Sequence, residues 1–261
     1  MITIGIVSDI VKSKVREFKE AVISKYNLLN LDDFSCEAKN VDVILVLGGD
    51  GFFLHTIHKF LNYKKPFYGI NYGTVGFLLN EIPKIENLIE NVKNANPIKL
   101  NLLEAEIQTK NNVYKSLAMN EVTLFRSSGQ IAKLKIYIDG KLRIKELASD
   151  GIVLSTAAGS TAYNFSLHGP IFSPDSKVLS LCPISPFRPR HFRGAMLLET
   201  SKVKFEVMES QKRPVLATTD FTHFQDVESL SVSLSKKHFV TLLFNKDKSL
   251  NEKILEEQFL I

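Results

Sequence analysis

A doubly wound N-terminal α/β domain followed by a C-terminal antiparallel β-sandwich is the fold class the sequence predicts, and three observations predict it. Up to residue 96, apolar runs alternate with stretches of helical spacing, as in a strand–helix–strand unit. One of those runs, "VDVILVL" at 41–47, is apolar almost throughout, as in a parallel strand covered on both faces. Beyond Pro97 the apolar period falls to two, the spacing of half-buried antiparallel strands.

Taken in order, "TIGIVS" reads as a first short strand, and helical spacing then places Val15, Phe18, Val22 and Ile23 on one face between Val11 and about Leu29. After Gly48-Gly49-Asp50-Gly51, residues Phe53, Leu54, Ile57, Phe60 and Leu61 form one helical stripe. "KPFYGI" supplies a third strand and "IPKIENLIENVKN" a further helix. In the second half Leu100 and Leu102 mark a strand, and Lys110-Asn111-Asn112 a turn. Ala132, Leu134, Ile136 and Ile138 alternate with polar residues up to Asp139-Gly140, a strong hairpin signal. "KFEV" and "SLSVSLS" continue the alternation. The last stretch is helical again, with Ser249 as N-cap and Glu252 three residues on. The expected division is therefore 1–96, 97–245, and a terminal helix over 246–261 that packs back on the α/β domain.

Composition narrows the function classes. With 261 residues, 44% hydrophobic and 23% charged, the chain can bury a substantial core in one large or two modest domains. No stretch is long and apolar enough to span a bilayer, and the N-terminus reads as a strand, not as a signal peptide. The two cysteines, Cys36 and Cys182, lack metal-ligand spacing and favour a reducing compartment, the cytoplasm. A net charge of +5 suits polyanionic ligands such as nucleotides. Basic blocks and motifs of nucleic-acid binding are missing.

The chemistry concentrates at two glycine-rich junctions. Gly48-Gly49-Asp50-Gly51 follows a buried strand and opens a helix, the edge of an open α/β sheet where ligands bind. Glycines let the backbone approach a ligand, and the helix N-terminus favours phosphate. Asp50 is the odd member, because a carboxylate repels phosphate. Two readings stand level: Asp50 ends the helix as a cap, or it faces the hydroxyl that attacks the phosphate, or a cation between them. The second junction, "SDGIVLSTAAGSTAYNFSLHGPI" at 149–171, leads from a strand into small residues where a planar ring can slide against the backbone. Thr161 and Ser166 offer hydrogen bonds there, and Tyr163 a stacking face. A tight strand-to-helix connection would explain Ser160 or Thr161 alone, but less readily the whole string.

Together, "GGDG", "GINYGTVGFL" (69–78), Asn120-Glu121 and "DGIVLSTAAGSTAYNFSLHGPI" (150–171) resemble the NAD kinase family, bacterial type, in order and spacing over nearly the whole chain. The resemblance implies transfer of the γ-phosphoryl group of ATP, or of polyphosphate, to the 2′-hydroxyl of the adenosine ribose of NAD. It also implies a divalent metal, magnesium by preference, and a homo-oligomer, dimer or tetramer. Matched by position, Asp50 falls on the proton acceptor, Gly51 on its backbone partner at the nucleotide, and His55 where a basic residue often lies near the substrate. Asn120 and Glu121 match the pair that contacts NAD, the acid at a ribose diol. Asp150 and Ala158 fall on further NAD-contacting positions. Thr161, Ala162, Tyr163, Asn164, Phe165 and Ser166 match the segment lining the adenine and amide pockets. No residue is matched to a protein-held metal.

Four departures stand out. Phe52 replaces a polar residue, Ala157 a proline, and "LHGP" a Gly-Gly-Pro run, which leaves His168 unassigned. "DFT" at 220–222 stands where many members read Asp-Gly-Gln, which puts a ligand contact from Thr222 in doubt. The "SPFRPRHFRG" loop (185–194) reads either as a phosphate site or as a solvated or subunit-contact loop. His55 and His58 lack a third ligand for a metal. Two other classes share some features. A lipid kinase of the diacylglycerol or sphingosine type shares GGDG but would need an acyl-chain site in place of the 150–171 block. A non-catalytic dinucleotide-binding regulator would keep the pocket and lose the acid.

Overall fold

A computed structural model describes residues 2–32, 36–246, 255 and 259. In chain order the strands and helices are β1 (Ile4–Ser8), α1 (Ser13–Tyr26), β2 (Leu29–Asn30), β3 (Val43–Gly48), α2 (Asp50–Phe60), β4 (Phe67–Asn71), α3 (Leu88–Asn94) and β5 (Asn96–Thr109). There follow β6 (Val113–Ala118), β7 (Glu121–Arg126), β8 (Ala132–Ile138), β9 (Lys141–Ser149), β10 (Gly151–Thr156), α4 (Tyr163–Ser166), β11 (Val178–Ile184), β12 (Ala195–Leu198), β13 (Val203–Val207), β14 (Val215–Thr219), β15 (Thr222–Phe224) and β16 (Val227–Phe244). The chain divides into two compact units, Met1–Leu100 with Val240–Ile261, and Asn101–Phe239.

The first unit is a parallel sheet in the order β2-β1-β3-β4, with the end of β16 paired to β4 at Leu242 and Phe67. Every residue of β1 and β3 is buried, which is why both read as continuous apolar runs. Side chains alternate across the sheet. Val43, Leu45 and Leu47 join Val15 and Val22 of α1 and Leu88 and Val92 of α3 in one core. α2 buries Phe53, Ile57 and Phe60, and Phe53 meets Phe67 edge-on with centroids 6.3 Å apart. Each such side chain contributes on the order of 1.5–3 kcal/mol when fully buried. Buried polar groups in this unit are partnered: Lys19, buried on α1, pairs with Asp32, which also accepts from the Ser8 amide at 2.8 Å.

α1 is shorter than its apolar spacing predicts. Val11 is 86% exposed ahead of it. At its C-terminus Asn27 takes a left-handed conformation and donates its N–H to Ile23 O, which closes the helix before Leu29 enters β2. The 82–94 stretch likewise divides into a single turn, Ile85–Asn87, and α3. Of the terminal helix expected over 246–261, all but residues 246, 255 and 259 lies outside the described residues.

The second unit packs two antiparallel sheets around one core. One carries β16-β13-β8-β9, with β5 pairing both β16 and β6; the other runs β12-β11-β10-β7-β14-β15. Leu134, Ile136, Phe205 and Leu230 from the first sheet meet Leu124, Ile152, Leu154, Leu181 and Ala217 from the second. That arrangement is a sandwich filled by the inward-facing half of each period-two pattern. The Asp139-Gly140 hairpin has φ of 52° and 75° at the two turn positions, as the sequence predicts for a two-residue connection. The turn at 110–112 is closed by Thr109 N–H donating to Asn112 O at 2.9 Å.

Candidate functional site

In the first unit the turn from β3 into α2 places Asp50 in the opening turn of the helix. The N-cap is Gly49, with no side-chain cap bond. The Asp50 carboxylate instead accepts the backbone N–H groups of Phe77 and Leu78, each at 3.3 Å. Those amides belong to the "GINYGTVGFL" loop. The loop is shaped by Asn71, whose Oδ1 accepts from Gly73 N–H at 2.8 Å and whose Nδ2 donates to Val75 O at 2.9 Å. At its far end Asn80 donates to Leu243 O at 2.9 Å and accepts from Asn245 N–H at 2.9 Å. Two long amide bonds leave a carboxylate with lone pairs to spare. Gly51 is exposed, and a Cβ placed on it would meet nothing within 4 Å. His55 is exposed one turn along the same helix, and His58 is half-buried.

In the second unit the sequence-predicted residues gather around the ends of β7 and β10. Asn120 and Glu121 enter β7. The Asn120 carbonyl accepts from Thr156 N–H at 2.9 Å, and Thr156 Oγ1 donates to Met119 O at 2.7 Å. Beyond Thr156 the chain makes a single tight turn, Ala158–Thr161, whose Gly159 lies against the Asn120 backbone. A Cβ there would sit 2.2 Å from Asn120 O, so no larger residue fits. Ala158 is buried, Thr161 and Ala162 are half-buried, and Tyr163, Phe165 and Ser166 are exposed. Asn164 is the exception. It is fully buried, and Nδ2 donates to Ser160 O at 3.1 Å and Pro170 O at 3.0 Å, while Oδ1 accepts from the Cys182 thiol. Its carboxamide is thus committed to the loop's own shape.

Charge in this cluster is unevenly partnered. Asp150 is held by Arg126, Nε to Oδ1 at 2.5 Å. Among the described residues, Asn120 Oδ1 and Glu121 Oε2 are buried without a hydrogen-bond partner. Buried polar atoms are normally satisfied, so an unmatched pair side by side marks a place for a polar ligand. Burial, and next the Asp220 charge, push the Glu121 carboxyl up to about 8. Desolvation, with Asp150 and Glu121 behind it, also raises the Tyr163 phenol. No three His, Cys, Asp or Glu side chains are grouped as a metal site among the described residues.

Sequence reasoning passed over Asp220 and Arg126. The only local sign of either was the Asp-Gly-Gln correspondence at 220–222, where attention fell on Thr222. Thr222 is exposed in β15. In the 185–194 loop, Arg188 and Arg190 both stack on Phe187, their guanidinium carbons 5.6 and 5.2 Å from its ring. The Phe187 and Arg188 amides donate to Ala148 O, which pins the loop to β9. His168 adopts a left-handed conformation, φ 59°, a backbone state that favours glycine.

Comparison with known proteins assigns both units. Residues 9–96 match the ATP-NAD kinase N-terminal domain, and 119–242 the ATP-NAD kinase C-terminal domain. The NAD kinase of Rickettsia felis is 43% identical over 226 residues, covering 86% of this chain and 88% of its own. That of Rickettsia canadensis is 44% identical over 225 residues, with the same coverage. Two solved structures share the fold. Yeast NADH kinase complexed with NADH has a TM-score of 0.82 at 23% identity, covering all of this chain and 87% of that one. An NAD kinase from Archaeoglobus fulgidus in complex with ATP has a TM-score of 0.80 at 21% identity, covering 97% and 99%. Two family matches that between them span most of the chain, and relatives above 40% identity, place it: the chain belongs to the NAD kinase family of enzymes.

Proposed function

We propose that this enzyme transfers the γ-phosphoryl group of ATP to the 2′-hydroxyl of the adenosine ribose of NAD, giving NADP and ADP. The observation that carries the reading is the state of Asp50. It stands at the carboxyl end of a parallel strand, is not used as a cap, and is steadied by two long amide bonds with acceptor capacity left over. In that state it holds the attacking hydroxyl in line and takes its proton as the oxygen–phosphorus bond forms and the bond to ADP breaks. Phosphoryl transfer passes through a loose transition state, so alignment and charge neutralisation outweigh base strength. The amides at 48–51 and the α2 N-terminus suit the phosphate charge.

We assign phosphate handling to 1–96 and dinucleotide binding to 97–245. Asn120 and Glu121 contact NAD, the acid at a ribose diol, Asp150 and Ala158 make further NAD contacts, and the 161–166 segment lines the adenine and amide pockets. The unmatched oxygens of Asn120 and Glu121 support this. Asn164 acts there through the shape of the loop. A divalent cation, magnesium by preference, travels on the ATP phosphates, a mode that needs no protein cage; when bound it neutralises developing charge. A homo-oligomer, dimer or tetramer, and a cytoplasmic location complete the reading. The oligomer is supported by Met196 and Leu198, 64% and 69% exposed on β12. Incubation of the purified protein with NAD, ATP and magnesium is expected to produce NADP. Failure to form NADP under those conditions would overturn the assignment.

A further inference from the structure

Between β14 and β15 the chain turns at Asp220, which adopts a left-handed φ of 50°. Its carboxylate accepts three successive backbone N–H groups, from Met119 at 2.7 Å, Asn120 at 2.9 Å and Glu121 at 3.2 Å. Its own N–H returns a bond to Glu121 O at 3.1 Å. The turn is further fixed by the Ser116 and Thr219 hydroxyls, 2.7 Å apart. One acid thus clasps the backbone of the two residues whose side-chain oxygens stand buried and unmatched.

We propose that Asp220 is a positioning residue for dinucleotide recognition: it sets the Asn120-Glu121 backbone through three amides and places its own carboxylate by the Glu121 carboxyl, adding to the effect of burial, so that Glu121 meets the ligand as an O–H donor as well as an acceptor. The proposal deepens the NAD-binding role given to that pair and rests on it. A carboxyl with a desolvated oxygen and a second carboxylate nearby holds its proton more tightly. Asp220 is the one whose charge is matched by amide donors. Glu121 has burial against it and no donor on Oε2, in keeping with its carboxyl being pushed up to about 8. The other charged or titratable groups nearby are Tyr163 from α4, its phenol raised by desolvation and then by Asp150 and Glu121, and Asp150 itself, ion-paired with Arg126 of β7. The three clasping bonds span 99 to 101 residues of sequence.

The decisive measurement is the carboxyl titration of Glu121 in the ligand-free protein by carbon NMR, with Glu121→Gln assigning the signal. A midpoint far above the ordinary glutamate range is expected in the native protein. It should move down by one pH unit or more, about tenfold in proton affinity, in Asp220→Asn. The inflection in KM for NAD should follow the same move, with kcat changing less, and should vanish in Glu121→Gln. A native midpoint between about 4 and 5, a midpoint unmoved by Asp220→Asn, or an inflection that survives in Glu121→Gln would each overturn the proposal. Should Asp220→Asn fail to fold, Asp220→Ser is read in the same way: the same downward move is expected, and an unmoved midpoint overturns the proposal. NADP formation is scored separately: its absence would reject the NAD reading and leave the titration result standing, whereas an ordinary titration would reject only the role of Asp220.

Discussion

Two glycine-bearing junctions look alike in the sequence and are built on opposite principles. At the β3–α2 turn the structure is open: a Cβ on Gly51 would touch nothing, and Asp50 is steadied by two amides at 3.3 Å. At the β10–α4 turn it is closed. Gly159 presses on the Asn120 carbonyl, Thr156 ties both sides together, and Asn164 is consumed by its own loop. The same residue type thus leaves room at one turn and removes it at the other. Their acids differ in kind too, since Asp50 stands at a helix N-terminus whereas Glu121 is desolvated beside a second carboxylate.

The contrast can be broken most directly at Asp50. Asp50→Asn is expected to lower kcat by roughly 10²–10⁴-fold, the usual worth of a positioned base, while calorimetric midpoint and NAD affinity stay close to native. A kcat near the native value would reject the difference in role. At the closed turn, Gly159→Ala is expected to cost about 1–3 kcal/mol in urea unfolding, because backbone cannot move aside for the added carbon, and to raise KM for NAD. Unchanged stability would show that the turn has slack.

A third test uses pH. A carboxyl raised from 4.5 to about 8 on folding keeps its proton in the folded state through that window, while the unfolded chain has lost it. The folded state then binds more protons, so stability falls as pH rises from about 4.5 to 8 and levels off above. Glu121→Gln should flatten that slope in denaturant titrations at successive pH values. Smaller still, His168→Gly should gain up to about 1 kcal/mol by relieving a left-handed non-glycine residue, less the entropy glycine restores to the unfolded chain. The smallest effect belongs to Gly51→Ala, whose stability should lie within about 0.5 kcal/mol of native. Any loss of turnover there would then report crowding at the ligand and not damage to the fold.

How much of this could be read ahead varies with the distance over which each feature is decided. The buried run of β3, the Phe53–Ile57–Phe60 stripe of α2 and the Asp139-Gly140 turn were legible because each is set by neighbours a few residues away. The α1 terminus was not, since the apolar spacing continues past the point where Asn27 turns left-handed. The motif residues of the second unit were legible as a string but not as an arrangement. Nothing local distinguishes Asn164, turned inward to Ser160, Pro170 and Cys182, from the exposed Phe165 beside it.

Periodicity and turn chemistry were enough to predict an α/β half and a β-sandwich half, and the glycine-flanked acids to single out two junctions for a ligand, because apolar patterning and backbone conformational preference act within a few residues. Which carboxylate is clasped, which is left buried without a donor, and which glycine leaves room were decided only when chain segments a hundred residues apart came together. Desolvation and hydrogen-bond satisfaction depend on everything that surrounds a group in space, and linear order carries almost none of that information.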